Sequence, residues 1–152
     1  MSEAEKSHIS IQHQYLKDLS FENPSSPASV EDMSEPPQLG MSLDLAVRGL
    51  EEEHVFEVQI NISVKAHNTK LTLFIVEVKY AGVFRMINIP QDQYEFLLSV
   101  YCPSILFPFV RRIISDITRD GGFQPLMIEP IDFAELYHKK KTEMLTKSPD
   151  IV

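Results

Sequence analysis

Few residues in this 152-residue chain can do chemistry, and their spacing brings none of them together. His8, His13, His54, His67 and His138 stand far apart, and no H-x-x-x-H or H-E-x-x-H pair occurs to turn two imidazoles onto one helix face for a metal. Cys102 is the lone cysteine, which excludes an internal disulfide and a Cys-rich metal site. It falls beside Pro103 at the end of a helical pattern, not at the helix amino terminus that would lower its pKa, and reads as a buried structural thiol. Glu51-Glu52-Glu53 sets three acids in succession, without the alternating ligand spacing of a calcium loop, and reads as a solvated turn. No G-x-G-x-x-G, Walker loop or G-x-S-x-G is present, and glycine is scarce, so a phosphate-cradling loop is not expected. The residues therefore point to a binding protein with no cofactor and no catalytic centre.

The elements that would position a binding surface change character along the chain. Phe56, Val58, Ile60, Ile62, Val64 and Ala66 alternate with Glu57, Gln59, Asn61, Ser63 and Lys65, the period of a strand with one face on a core. His67-Asn68-Thr69-Lys70 turns into a second strand from Leu71 to Val78. Met41, Leu43, Leu45 and Val47 mark a third, and Ile9, Ile11, His13 and Tyr15 a fourth. Between these last two, Asn23 to Gln38 holds Pro24, Pro27, Pro36 and Pro37 and reads as an extended crossing loop, neither strand nor helix. Tyr94, Leu97, Leu98 and Tyr101 then fall at helical spacing. Cys102-Pro103 interrupts, and a longer helix starting near Pro108 carries Val110, Ile113, Ile114 and Ile117 before Gly121-Gly122 ends it. Phe123 to Pro130 is a second Pro-bounded loop, apolar for a loop and so suggestive of a groove or contact. Asp132-Phe133-Ala134-Glu135 opens a last helix in the manner of a capping box, and His138 to Lys141 place positive charge toward its carboxyl end. Strands followed by helices imply an α+β fold, a four-stranded antiparallel sheet with helices packed on one face. The expected organisation is a disordered segment at 1–8, one domain over 9–146, and a disordered tail at 147–152.

Residues 1–60 hold twelve acids against three bases, and the remainder ten against eleven. The formal net charge of -8 argues against a nucleic-acid partner. An acidic amino-terminal half fits a partner with a basic docking surface, or serves solubility. The first ten residues lack the basic and apolar regions of an export signal, and no run approaches the roughly 18 apolar residues of a membrane span. A soluble intracellular protein without membrane insertion is the expectation.

Four segments carry a resemblance. Lys17-Asp18-Leu19-Ser20-Phe21-Glu22-Asn23-Pro24, Tyr101-Cys102-Pro103-Ser104-Ile105-Leu106-Phe107-Pro108, Gly122-Phe123-Gln124-Pro125-Leu126 and Ile131-Asp132-Phe133 resemble, in order and at fitting distances, the signature segments of the SecB family of bacterial export chaperones. The resemblance covers roughly Ile9 to Tyr137. It implies a homotetramer built as a dimer of dimers, acting as an ATP-independent holdase that keeps secretory precursors unfolded and delivers them to the translocation ATPase SecA. It further implies a dock for SecA's basic, zinc-bearing carboxyl-terminal segment at Asp18, Glu22, Ile75 and Glu77. Client contact would fall to Met33, Met41, Leu43, Leu45, Phe123, Leu126, Phe133, Leu136 and Tyr137. Glu77 breaks an apolar run and should face water or that basic partner. Phe74 to Tyr80 and Phe109 to Ile117 are the expected subunit contacts. Two departures stand out: Met33 lies near where relatives often carry Trp, and the tail is Lys-rich where the family's is more acidic. The alternatives are a chaperone of the same fold dedicated to one client such as an antitoxin, and, in a different class, a small-ligand-binding domain.

Overall fold

The computed structural model describes residues 6–31 and 35–147, with backbone alone for 145–147. Four strands, β1 (His8–Glu22), β2 (Gln38–Gly49), β3 (Val55–His67) and β4 (Thr72–Ile87), form one antiparallel sheet in the order β1-β4-β3-β2. This is the expected α+β sheet. β1 and β4 run well past the stretches that alternation marks, and His8 already belongs to β1. The fifteen residues of β1 pair with thirteen of β4, Ile75 to Ile87, through two bulges whose extra residues are Gln12 and Lys17. The β3–β4 turn is the expected one: Asn68 Oδ1 accepts the N–H groups of Lys70 (2.8 Å) and Leu71 (2.7 Å).

Two expectations fail here. The crossing segment is not wholly extended, since Ala28–Glu31 forms a one-turn helix, α1. Ser29 at its centre is buried and donates its hydroxyl to Asn23 Oδ1 at 2.6 Å, a local bond that the proline count does not reveal. Nor does Cys102-Pro103 interrupt the helix. The helical run extends from Gln91 to Asp120, passing from a 3-10 turn through α2 (Tyr94–Phe96) and a π turn at Leu97–Tyr101 into α3 (Cys102–Asp120). The wider π turn lets the Cys102 N–H reach Leu97 O and makes room for a proline that would otherwise strike the preceding turn. Pro108 lies inside α3 on its exposed side, as does Ser104, the residue whose carbonyl it deprives of a partner.

The run from Gln91 to Asp120 includes a stretch long and apolar enough to cross a membrane by length and composition. Here its stripe of Cys102, Leu106, Val110 and Ile114 is buried against β3 and β4. The opposing sheet residues are the even positions of β3, Val58 to Ala66, and of β4, Phe74 to Met86. Gly82 is the point of closest approach. A Cβ there would stand 2.9 Å from the Leu106 side chain and from the Phe84 ring. The last helix, α4 (Phe133–Lys147), starts where the capping pattern places it, with the Glu135 N–H bonded to Asp132 Oδ1 at 3.0 Å.

Leu106 has no exposed surface, so Leu106→Ala should lower stability by about 2–5 kcal/mol. Met127→Ala, at an exposed loop position, should change it by less than about 0.5 kcal/mol. Urea unfolding followed by circular dichroism measures both.

Candidate functional site

Alternation along the strands divides the residues of interest between the two faces of the sheet. On the helix side, Leu39, Met41, Leu43, Leu45 and Val47 of β2 follow one another across from Ala66, Val64, Ile62, Ile60 and Val58. Leu39 and Met41 are 48% and 49% exposed, because α3 lies over β3 and β4 and does not reach them. An open cleft of about 400 Å³ begins at Leu39 and is lined by Pro36, Pro37, Phe74, Phe123 and Leu126. A second, about 350 Å³, continues past Met41 and Leu43 to Ile131 and Leu136, with Asp132, Glu135 and Lys139 at its rim. Both clefts draw on the same β2 row, so together they form one apolar strip.

The loop that walls the first cleft is pinned at its origin. Gly122, at φ +95°, turns the chain out of α3, and the Phe123 N–H bonds to Thr118 O at 3.1 Å. The fully buried Thr118 hydroxyl donates to Ile114 O and accepts the Leu126 N–H, both at 2.9 Å. Gly121 meets the crossing segment: the Phe21 ring occupies the space a Cβ would need, 2.4 Å away, and Asn23 Nδ2 donates to Gly121 O at 3.2 Å. Phe21 stacks on Phe74 at 5.9 Å between ring centres, and Phe123 packs on Phe74 at a tilt, at 5.0 Å. Two segments a hundred residues apart in sequence, around Phe21-Glu22-Asn23 and Gly121-Gly122-Phe123, are thus one structural unit.

Not every expected contact residue is on the surface. Phe133 is 2% exposed and packs edge-on to Phe107, and Phe123 is also buried; these two support the groove from within. Leu43, Leu45, Leu126, Leu136 and Tyr137 are half-buried, and Tyr137 packs edge-on to Phe96 with Lys141 above its ring. Met33 lies outside the described residues. Phe74 to Tyr80 belongs to an interior strand with β1 and β3 on either side, so its backbone offers no free edge to another subunit. His54, in the β2–β3 turn, hydrogen-bonds the Tyr94 hydroxyl through Nδ1 at 2.8 Å. Cys102 is fully buried, which pushes its thiol up to about 12, so the neutral thiol prevails. Among the described residues no group of His, Cys, Asp and Glu is placed to hold a metal.

Among the described residues, the other face of the sheet bears no helix. Asp18, Glu22, Ile75 and Glu77 all lie there, on neighbouring β1 and β4: Asp18 opposes Lys79, Ser20 opposes Glu77 and Glu22 opposes Ile75. The three acids are exposed and Ile75 half-buried. Residue reasoning missed a second cluster beside them. Glu57, on the polar face of β3, is only 5% exposed. It accepts hydrogen bonds from the Tyr15 hydroxyl, from Lys17 Nζ at 3.2 Å and from Arg48 Nε at 3.1 Å. Tyr15 reaches it from β1 across β4, over Ala81, whose side chain is too small to stand in the way. Burial alone would raise the Glu57 carboxyl, but the bonds from Tyr15, Arg48 and Lys17 outweigh it and hold the group at about 2. Burial and the same bond push the Tyr15 phenol up to about 12. The small Ala81-Gly82 pair was the available signal for this crossing.

Comparison with known proteins agrees on the family. The family model described as "SecB: Preprotein translocase subunit SecB" matches residues 2–144. "Protein-export protein SecB" of Rickettsia akari is 55% identical over 136 residues, and that of Rickettsia felis 54%, each over 90% of both chains. Among solved structures, the Mycobacterium tuberculosis Rv1957 SecB-like chaperone, in complex with a peptide from the HigA1 antitoxin, superposes with TM-score 0.67 at 15% identity. That match covers 81% of this chain and 90% of the other.

The Glu57 cluster has a pH signature. A carboxyl held below its ordinary 4.5 contributes its stabilisation in full above about pH 4.5 and loses it as the pH falls through about 2. Glu57→Gln should therefore cost up to about 3 kcal/mol near pH 7, and wild type and variant should converge as the pH falls toward 2. Unfolding free energies measured from pH 7 down to pH 2 would show it; a constant gap would contradict the assignment.

Proposed function

The chain belongs to the SecB family of protein-export chaperones, and on that premise we propose that it is an ATP-independent holdase for unfolded secretory precursors in the bacterial cytoplasm, delivering them to SecA. The observation that carries this reading is the apolar strip from Leu39, Met41 and Leu43 to Leu126 and Leu136, left open on the helix side of the sheet. An unfolded chain loses conformational entropy on binding, so a holdase needs many shallow apolar contacts over a long surface. Exposed methionine suits such a surface because its unbranched side chain repacks around different clients. Delivery is assigned to the opposite face, where Asp18, Glu22, Ile75 and Glu77 would meet the basic, zinc-bearing segment of SecA. Separate faces allow client and SecA to be held at once.

The homotetramer belongs to the same reading. On β1, Ile11, Leu16 and Leu19 remain exposed on the helix side, and Phe109 of α3 is exposed next to them, stacked on Tyr80. This apolar edge, opposite the client strip, is the surface on which subunits would meet.

The Mycobacterium tuberculosis chaperone favours one second reading, a chaperone of this fold dedicated to a single client. Exposed acids at Asp18, Glu22 and Glu77 support the export role, since a dedicated chaperone needs no SecA dock. Leu43→Asp or Leu126→Asp should weaken binding of an unfolded precursor by roughly tenfold or more, leaving SecA-segment binding intact. Glu77→Lys should do the reverse, by roughly tenfold at low ionic strength and by little at high salt. Fluorescence anisotropy with an unfolded precursor and the SecA segment measures both; a protein that binds one client and no precursor would sink the export reading.

A further inference from the structure

The open face of the sheet carries less negative charge than the acidic half of the sequence suggests. Among the described residues, its strands turn five carboxylates outward, Asp18, Glu22, Asp44, Glu57 and Glu77, against the cations of Lys17, Arg48, Lys65 and Lys79. Arg85 is paired with Glu52 of the β2–β3 turn. The face is left with one net negative charge, and two of its cations stand where the backbone compels them to. The β1 bulge adds Lys17 next to Asp18, and antiparallel register sets Arg48 opposite Glu57.

We infer that Glu57 is a positioning residue that masks these two cations, binding Lys17 and Arg48 so that the neighbouring Asp18, Glu22 and Glu77 present an attractive surface to a basic partner. Its geometry suits that role. The Tyr15 hydroxyl occupies Oε2, which leaves Oε1 to receive both Lys17 Nζ and Arg48 Nε. Lys17 directly precedes Asp18 on the same bulged strand, well inside the roughly 8–10 Å over which charges act at physiological salt. Removing the Glu57 charge would leave the face neutral and release two cations beside the acids. A second consequence separates masking from mere stapling: Lys17 does most harm when Glu57 is absent, so deleting both should undo most of the damage.

This inference rests on the docking role given to the open face above. The test uses the full-length protein, the basic SecA segment as probe and an unfolded precursor as a control for the intact groove. Glu57→Gln should weaken segment binding about three- to tenfold at low salt, with the difference fading at high salt and precursor affinity unchanged. Adding Lys17→Met to Glu57→Gln should restore most of the loss. Lys17→Met alone, which keeps Glu57 and does not depend on the variant's folding, should tighten binding about threefold. Unchanged affinity in Glu57→Gln, no rescue in the double variant, or no gain from Lys17→Met would overturn the inference while the docking role stood. Failure of the wild-type protein to bind the segment would overturn both.

Discussion

An α-helix is about 10 Å across, whereas strands lie about 4.8 Å apart, so one helix covers about two strands of a four-stranded sheet. In this molecule α3 covers β3 and β4, the middle pair. The helix-side residues of both edge strands are apolar because strand alternation continues to the sheet's margins, and they remain uncovered. Leu39, Met41 and Val47 on β2 and Ile11, Leu16 and Leu19 on β1 are the result. A protein built to bury all its apolar surface would add a second layer of helix. In the function proposed above, this shortfall is the working surface, with one margin assigned to extended chains and the other to a second copy.

The same backbone serves an electrostatic surface on its reverse. Each strand turns successive residues to opposite sides, so β1 can present Leu19 toward the helices and Asp18 to the open face. The bulge at Lys17 then sets Leu16 on the same side as Leu19, where alternation alone would have put it beside Asp18. Small residues matter as much as charged ones. Gly82 lets Leu106 approach one side of β4, and Ala81, its neighbour, lets Tyr15 cross the other.

Much of this was legible in the residues. The alternation from Phe56 to Ala66 defines β3 and its two faces without help, and Glu77 declares its own exposure by breaking an apolar run. The helix boundaries were not legible, because proline at 103 and 108 signals a stop unless a π turn or an exposed helix side absorbs it. α1 escaped notice for a related reason, its turn being held by Ser29 and Asn23 against the local proline content. Periodicity says which side Phe133 faces but not how deeply it sinks, so a core ring was read as a contact. Glu57 was invisible, since nothing in the pattern of β3 distinguishes it from Gln59 or Asn61. Its burial depends on Tyr15 and Arg48 arriving from two other strands.

The order of the strands also has a temporal side. β2, β3 and β4 follow one another in the chain and pair as a meander through short turns, whereas β1 must cross to β4, joining His8 to Ile87. Pairings between residues so distant in sequence close a large loop and form slowly. The apolar row of β2 therefore takes shape with the meander, while Asp18 and Glu22 come beside Glu77 only when the last strand has docked. An incompletely folded copy would be sticky but would lack the finished acidic face, so recognition through that face would select copies whose folding is complete.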